Sequence, residues 1–292
     1  MSRDARALRR IWCLAPTIML GAFLCACTTT STSSTGGVST NDSNFGRTVT
    51  TALSSDSKDR VTASDEPEST KRARVRMELA SAYFGRGQLT TALDEVKLAI
   101  ASDPNYAPAF NLRGLIYAGL GDDRLAEESF RHALQLDARD ADTMQNYGWY
   151  LCQQKRFPEA DTMFLQALSV PQYRDSPRTL LTQGVCQARA GEWTQAEGTL
   201  TRSYEIDPAN PVTAVNLSEV LFHRGEYERA RYYIRRVNNT SNMTNAQTLW
   251  LAVRIEQRLG NRQGVQDLGS QLRSRFPQSR EASAFDQGKF DE

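Results

Sequence analysis

From residue 73 onward the apolar positions recur on two periods at once. Over short distances they fall three and four residues apart, as with Ala92, Val96 and Ala99, which puts them on one face of a helix. Over longer distances the arrangement itself returns. With frames opening at 73, 107, 141, 177, 211 and about 245, the eighth place holds Ala80, Gly114, Gly148, Gly184, Ser218 and Ala252, all small. The twentieth holds Ala92, Ala126, Ala160, Ala196 and Ala230, and the twenty-fourth Val96, Phe130, Phe164, Leu200 and Ile234. The twenty-seventh holds Ala99, Ala133, Ala167, Ser203 and Val237. The stretch YFGRGQLTTALDEVKLAIASDPNY displays one unit: the end of a first helix, a turn at Gly87, a second helix, and a stop at Pro104. Gly121, Gly191 and Gly225 take the same turn in later units, and Pro208 repeats the stop. The pattern predicts an all-α chain of about six helix pairs, the small residues letting each pair approach closely.

Two places break the rhythm. SVPQYRDSPRTL joins the third and fourth units with two extra residues and two prolines, so a bend or loop is expected there. The sixth unit is degenerate, with Val265 and Gly269 where Ala and a large residue are expected, and reads as a cap. The tail SREASAFDQGKFDE is expected to add a short helix or to stay loose.

This periodicity resembles the tetratricopeptide repeat. The resemblance implies a right-handed superhelical solenoid whose first helices line a concave face. In that repeat the second, fifth, ninth, twelfth and thirteenth places of the first helix point into the concavity. Here they include Asn111, Leu115, Gln145, Trp149, Leu181 and Val185. Several are apolar where a solvated face would carry charge, and an apolar patch of that kind marks a partner site. The plainer alternative is that Trp149 and Leu115 pack against neighbouring units.

The start of the chain has a different character. Arg3, Arg6, Arg9 and Arg10 precede the apolar run IWCLAPTIMLGAFL, which is too short to span a bilayer as a helix and has the layout of an export signal. Leu24, Cys25, Ala26 and Cys27 resemble the bacterial lipobox, which implies cleavage before Cys27 and acylation of its thiol and amino group. Burial of acyl chains contributes roughly 0.8 kcal/mol per methylene, so two or more chains hold the protein stably on a membrane without spanning it. Thr28 stands where the inner-membrane retention signal of many Gram-negative lipoproteins has Asp, which points to the outer membrane, facing the periplasm. From Thr28 to about Thr70 the chain is rich in Ser, Thr, Asp and Gly and is expected to be a disordered tether. Its root-mean-square span is roughly 35–40 Å by the flexible-chain estimate. The domain plan is therefore signal 1–26, lipidated tether 27–70, repeats 71–278 and tail 279–292.

Charge and chemistry narrow the function. The chain carries 35 basic and 34 acidic residues. Removal of the signal takes four Arg and one Asp, leaving 31 and 33 with no basic cluster, so nucleic acid is not an expected partner. The only histidines, His132 and His223, lie 91 residues apart and form no metal pair. There is no phosphate-binding glycine loop and no nucleophile-elbow serine. Asp94 and Glu95 read as a solvated charge run. Neither catalysis, nor a cofactor, nor a small-molecule substrate is expected. After loss of Cys13 and Cys25 with the signal and lipidation of Cys27, Cys152 and Cys186 remain in an oxidising compartment. They sit at the twelfth and tenth places of successive first helices, at nearly the same height. A disulfide is the favoured reading, and two buried thiols the plainer one.

Export signal, lipidated cysteine, tether and six repeats together resemble the type IV pilus biogenesis lipoproteins, the pilotins of the pilus secretin. The most specific stretches are NYGWYLCQQKRFPEA, residues 146–160, and GVCQARAGEWTQAE in the next unit. The resemblance implies partners among the secretin and other pilus assembly proteins, with a role in bringing the secretin to the outer membrane and helping it multimerise. A scaffold for cell-wall hydrolases and an accessory lipoprotein of outer-membrane barrel assembly share the same anchor and fold.

Overall fold

The computed structural model describes residues 66–240 and 242–290. The signal segment, Cys27 and the tether as far as residue 65 lie outside the described residues. All regular structure among them is α-helical. Six pairs follow one another: α1 (Glu68–Gly85) with α2 (Leu89–Ser102), α3 (Ala107–Leu120) with α4 (Asp123–Leu136), α5 (Ala141–Gln153) with α6 (Phe157–Ser169), α7 (Ser176–Arg189) with α8 (Trp193–Ile206), α9 (Pro211–His223) with α10 (Tyr227–Asn238), and α11 (Ala246–Arg258) with α12 (Arg262–Arg275). A short α13 (Arg280–Asp286) closes the chain.

Local chemistry sets the helix limits. Asp122, Asp140, Asn210 and Asn261 cap α4, α5, α9 and α12 by accepting backbone N–H bonds, satisfying donors the first turn leaves unpaired. Prolines occupy the first turn of α3, α6, α7 and α9, where a missing N–H costs nothing. The turn inside the second pair closes at Gly121 with φ 79°, a left-handed conformation open to glycine. In the third pair that place is held by Lys155 at φ 61°.

The predicted small and large positions meet inside each pair. Ala92, Ala126, Ala160, Ala196 and Ala230 are wholly buried, as are Val96, Phe130, Phe164, Leu200 and Ile234. A Cβ on Gly114 would stand 2.7 Å from the Phe130 ring, one on Gly148 2.9 Å from the Phe164 ring, and one on Gly184 2.6 Å from Leu200 Cγ. The large residue of the second helix therefore occupies the room left by the small residue of the first. In the fifth pair Ser218 fits by donating its hydroxyl hydrogen bond to the Ala230 carbonyl, 2.9 Å away.

From the second pair onward, neighbouring pairs are joined by polar clasps. Glu127 on α4 accepts from Tyr147 on α5 (3.0 Å) and Arg156 (2.8 Å) as well as from Arg131 (2.5 Å). One joint later Asp161 accepts from Gln183 and Gln187 at 2.8 and 3.0 Å. The backbones of successive first helices approach one another closely, whereas those of successive second helices stay apart and meet only through long side chains, as Arg229 on α10 does with Glu197 on α8 at 2.7 Å. The stack thus closes up on the first-helix side, which makes that side the inner one.

Three features depart from the sequence-based expectations. Helix α1 begins at Glu68, inside the stretch assigned to the tether, and Thr70 donates to Asp103 at 2.7 Å, so the boundary moves toward the N-terminus. The link between α10 and α11 is longer than the usual four residues, so α11 opens at Ala246, where Asn245 and Thr248 form a capping box. The sixth frame accordingly starts one residue later, and its eighth place is Val253 rather than Ala252; Val253 is fully buried. There the small and large positions are exchanged: Gly269 lies under the Phe285 ring of α13, which fills the gap. Residue 280 falls 34 after 246, so the tail forms a half-unit at the place of a seventh first helix. The join between the third and fourth pairs is a loop, as expected, held by a Tyr173–Thr179 hydroxyl contact of 2.9 Å.

Candidate functional site

The inner face gathers side chains from α3, α5, α7, α9 and α11. Around the third and fourth pairs these form a connected row. Asn146 donates to Asn111 across the α3–α5 joint at 3.2 Å. Arg178 donates to Gln145 at 2.7 Å and lies 3.7 Å from Asp142. Burial, reinforced by nearby Asp140, holds the Asp142 carboxyl above the usual range despite Arg178. One turn further along, the Arg189 guanidinium sits 5.0 Å from the centre of the Trp149 ring, a cation–π contact between successive units. Cys152 and Cys186 come together beside it as a disulfide with Cα atoms 5.9 Å apart, within the range such a bond requires.

The six residues predicted to line the groove do not share one environment. Asn111, Leu115, Trp149, Leu181 and Val185 are half-buried, whereas Gln145 is buried and spends its carbonyl oxygen on Arg178. Leu115 and Trp149 pack on the core formed by Tyr150, Leu151, Cys152 and Phe164, and Leu181 on the core centred on Leu200 and Leu217. Each therefore contributes packing and an exposed edge together. Residue-type reasoning passed over Arg178 and Arg189, which stand at the second and thirteenth places of the fourth frame. It also passed over Phe222, whose ring lies 4.6 Å from the Arg254 guanidinium and 5.9 Å from that of Arg258. Carrying the full list of places through the fourth and fifth frames finds all three.

Other candidate chemistry is dispersed. His132 packs against Phe110 with ring centres 4.3 Å apart, and His223 stacks on Trp193 at 4.4 Å. Asp94 is exposed, and Glu95 pairs with Arg76 at 2.8 Å. Among the described residues no three His, Cys, Asp or Glu side chains are grouped to hold a metal ion, and no helix is long and apolar enough to cross a membrane.

Six stacked helix pairs, the first five locked by a small residue facing a larger one, define a tetratricopeptide-repeat solenoid. The tetratricopeptide repeat model matches residues 107–140 and 141–170. The fold is shared with the crystal structure of PilW, described as a widely conserved type IV pilus biogenesis factor. The two are 32% identical with a TM-score of 0.67, over 73% of this chain and 97% of PilW. A Pseudomonas aeruginosa PilF structure matches with a TM-score of 0.67 and 26% identity, over 76% of this chain and all of that one. In sequence the type IV pilus assembly protein PilF of Pseudomonas aeruginosa is 27% identical over 209 residues, 72% of this chain and 82% of PilF. The chain belongs to the family of tetratricopeptide-repeat type IV pilus biogenesis factors.

Proposed function

We propose that this protein is an outer-membrane lipoprotein that acts as pilotin of the pilus secretin, working by binding rather than by catalysis. In this reading acylated Cys27 holds the chain on the periplasmic side of the outer membrane, and residues 28–65 give it reach. The repeats present their inner face to the secretin or to another pilus assembly protein. The observation that carries the binding role is the row on that face, Gln145–Arg178 beside Trp149–Arg189 beside Cys152–Cys186. It offers an aromatic edge and fixed cations on a scaffold braced across the irregular joint. Aromatic and arginine side chains in such settings supply most of the binding energy at protein interfaces. Membership in the pilus biogenesis family supports the secretin over a cell-wall hydrolase as the object of that binding.

The anchor is tested by labelling cells with palmitate. Wild-type protein should incorporate label and sediment with outer membranes, while Cys27→Ser should lose both properties and lower the amount of assembled secretin. Label retained in Cys27→Ser would refute the assignment of the acylated residue.

A further inference from the structure

The joint between the first and second pairs lacks the clasp found at the next two. At the seventh place of the third and fourth units, Tyr147 and Gln183 reach acids at the twenty-first place of the unit before, Glu127 and Asp161. At the seventh place of the second unit stands Arg113, and the corresponding twenty-first place is Leu93. Arg113 is half-buried and turns to its own unit: Nε donates to Ser129 Oγ at 2.9 Å, and the guanidinium lies 4.8 Å from the Phe110 ring centre. No carboxylate pairs with it among the described residues. The two acids nearby are already engaged, Glu127 by Tyr147, Arg131 and Arg156, and Glu128 by Arg124 at 3.2 Å. Burial accordingly lowers the Arg113 pKa from its ordinary value, whereas the paired Arg131 and Arg156 are raised.

In front of Arg113 an open pocket of about 720 Å³ runs along the outer face of α4, with His132 and Gln135 at its edge. A half-buried cation that no carboxylate pairs, with only the Glu128 charge acting on it through space, is a cost to the fold that an incoming anion lowers. The guanidinium fork matches a carboxylate in a bidentate pair. A dianionic phosphate would meet the charges of Glu127 and Glu128 in the same pocket, which a single carboxylate meets less. We propose that Arg113, flanked by Phe110 and His132, receives an Asp or Glu side chain of a protein partner, forming a second docking point on the outer side of the solenoid. This rests on the reading of the chain as a protein-binding scaffold.

The two histidines provide the test, since His132 borders this pocket and His223 stacks on Trp193 far along the chain. Imidazole proton resonances of full-length protein in zwitterionic detergent are followed at pH 8 while a blocked Gly-Glu-Gly-Glu peptide is added. The His132 signal should move saturably and His223 should not, and the Gln version of the peptide should leave both unmoved. Arg113→Gln should abolish the shift, and Arg113→Lys, which keeps charge and stem but not the fork, should weaken the apparent affinity by tenfold or more. Helical circular dichroism of both variants establishes that they are folded. Both histidines moving together, no saturation, a full response in folded Arg113→Lys, or inorganic phosphate saturating at lower concentration than the peptide would each overturn the proposal. Secretin assembly in cells lacking the protein reports on the scaffold reading separately.

Discussion

Gly148→Ala and Gly198→Ala are the same substitution in two helices of one solenoid, and the structure predicts opposite signs. In an exposed helix interior, replacing glycine by alanine stabilises by about 1 kcal/mol, through lower unfolded-state entropy and better helix propensity. Gly198 on α8 is such a site, exposed and with nothing within 4 Å of an added Cβ. Gly148 gains the same propensity, but its Cβ would stand 2.9 and 3.0 Å from two Phe164 ring atoms and 3.2 Å from the Ala160 carbonyl oxygen. The ring is fully buried and the carbonyl belongs to the helix backbone, so neither can retreat without opening the α5–α6 contact. Overpacking of this kind costs typically ~1–3 kcal/mol. Gly148→Ala is therefore expected to be net destabilising by about 1 kcal/mol and Gly198→Ala stabilising by a similar amount. Urea unfolding followed by helical circular dichroism measures both, with an unchanged slope showing that the difference lies in the folded state. If Gly148→Ala shifts the midpoint upward as far as Gly198→Ala, the small eighth place is not what allows the helices of a pair to approach.

Three further outcomes are expected. Lys155→Gly should raise stability by roughly 0.5–1 kcal/mol in the same assay, because Lys155 holds the left-handed turn that glycine holds in other units; an unchanged midpoint would show that the turn carries no strain. Mass spectrometry of the non-reduced protein purified from cells, alkylated before digestion, should find Cys152 and Cys186 in linked peptides. Closing a loop across this sequence separation of 34 should add roughly 2–4 kcal/mol that reductant removes, and free alkylation of both would exclude the bridge. Glu127 titrates below its ordinary value: burial alone would raise it, but hydrogen bonds from Arg156 and Tyr147 and the charge of Arg131 outweigh burial. Its contribution to stability is thus complete above the unfolded-state pKa of about 4.3 and is lost as pH falls through the lower folded value. Urea midpoints between pH 6 and 3 should fall less steeply in Glu127→Gln, and equal slopes would remove Glu127 from the clasp.

Where residue size decides the structure, the linear pattern was sufficient to read it. The alternation of Gly148 with Phe164 and of Gly184 with Leu200 names the helix pairs before any coordinates, because only one packing buries both. The pattern fails in the sixth unit for a physical reason. The link before α11 is one residue longer than the frame allows, and the large side chain that meets Gly269 comes from Phe285, outside the unit. The site was legible in part. Apolar character on the inner places singles out Leu115 and Trp149, but it is silent on Arg178 and Arg189. Their role depends on the offset between neighbouring helices, which brings Arg189 over Trp149 and Arg178 onto Gln145. The missing partner of Arg113 shows only when three joints are compared in register.

In the proposed function the protein carries the pilus secretin to the outer membrane and promotes its multimerisation. The direct measurement is the amount of detergent-resistant secretin multimer in purified outer membranes from a strain lacking the gene and from the same strain complemented with it. The account predicts secretin present as monomer or outside the outer membrane in the first and multimers restored in the second. Normal outer-membrane multimers without the protein, accompanied by displaced cell-wall hydrolases, would contradict it.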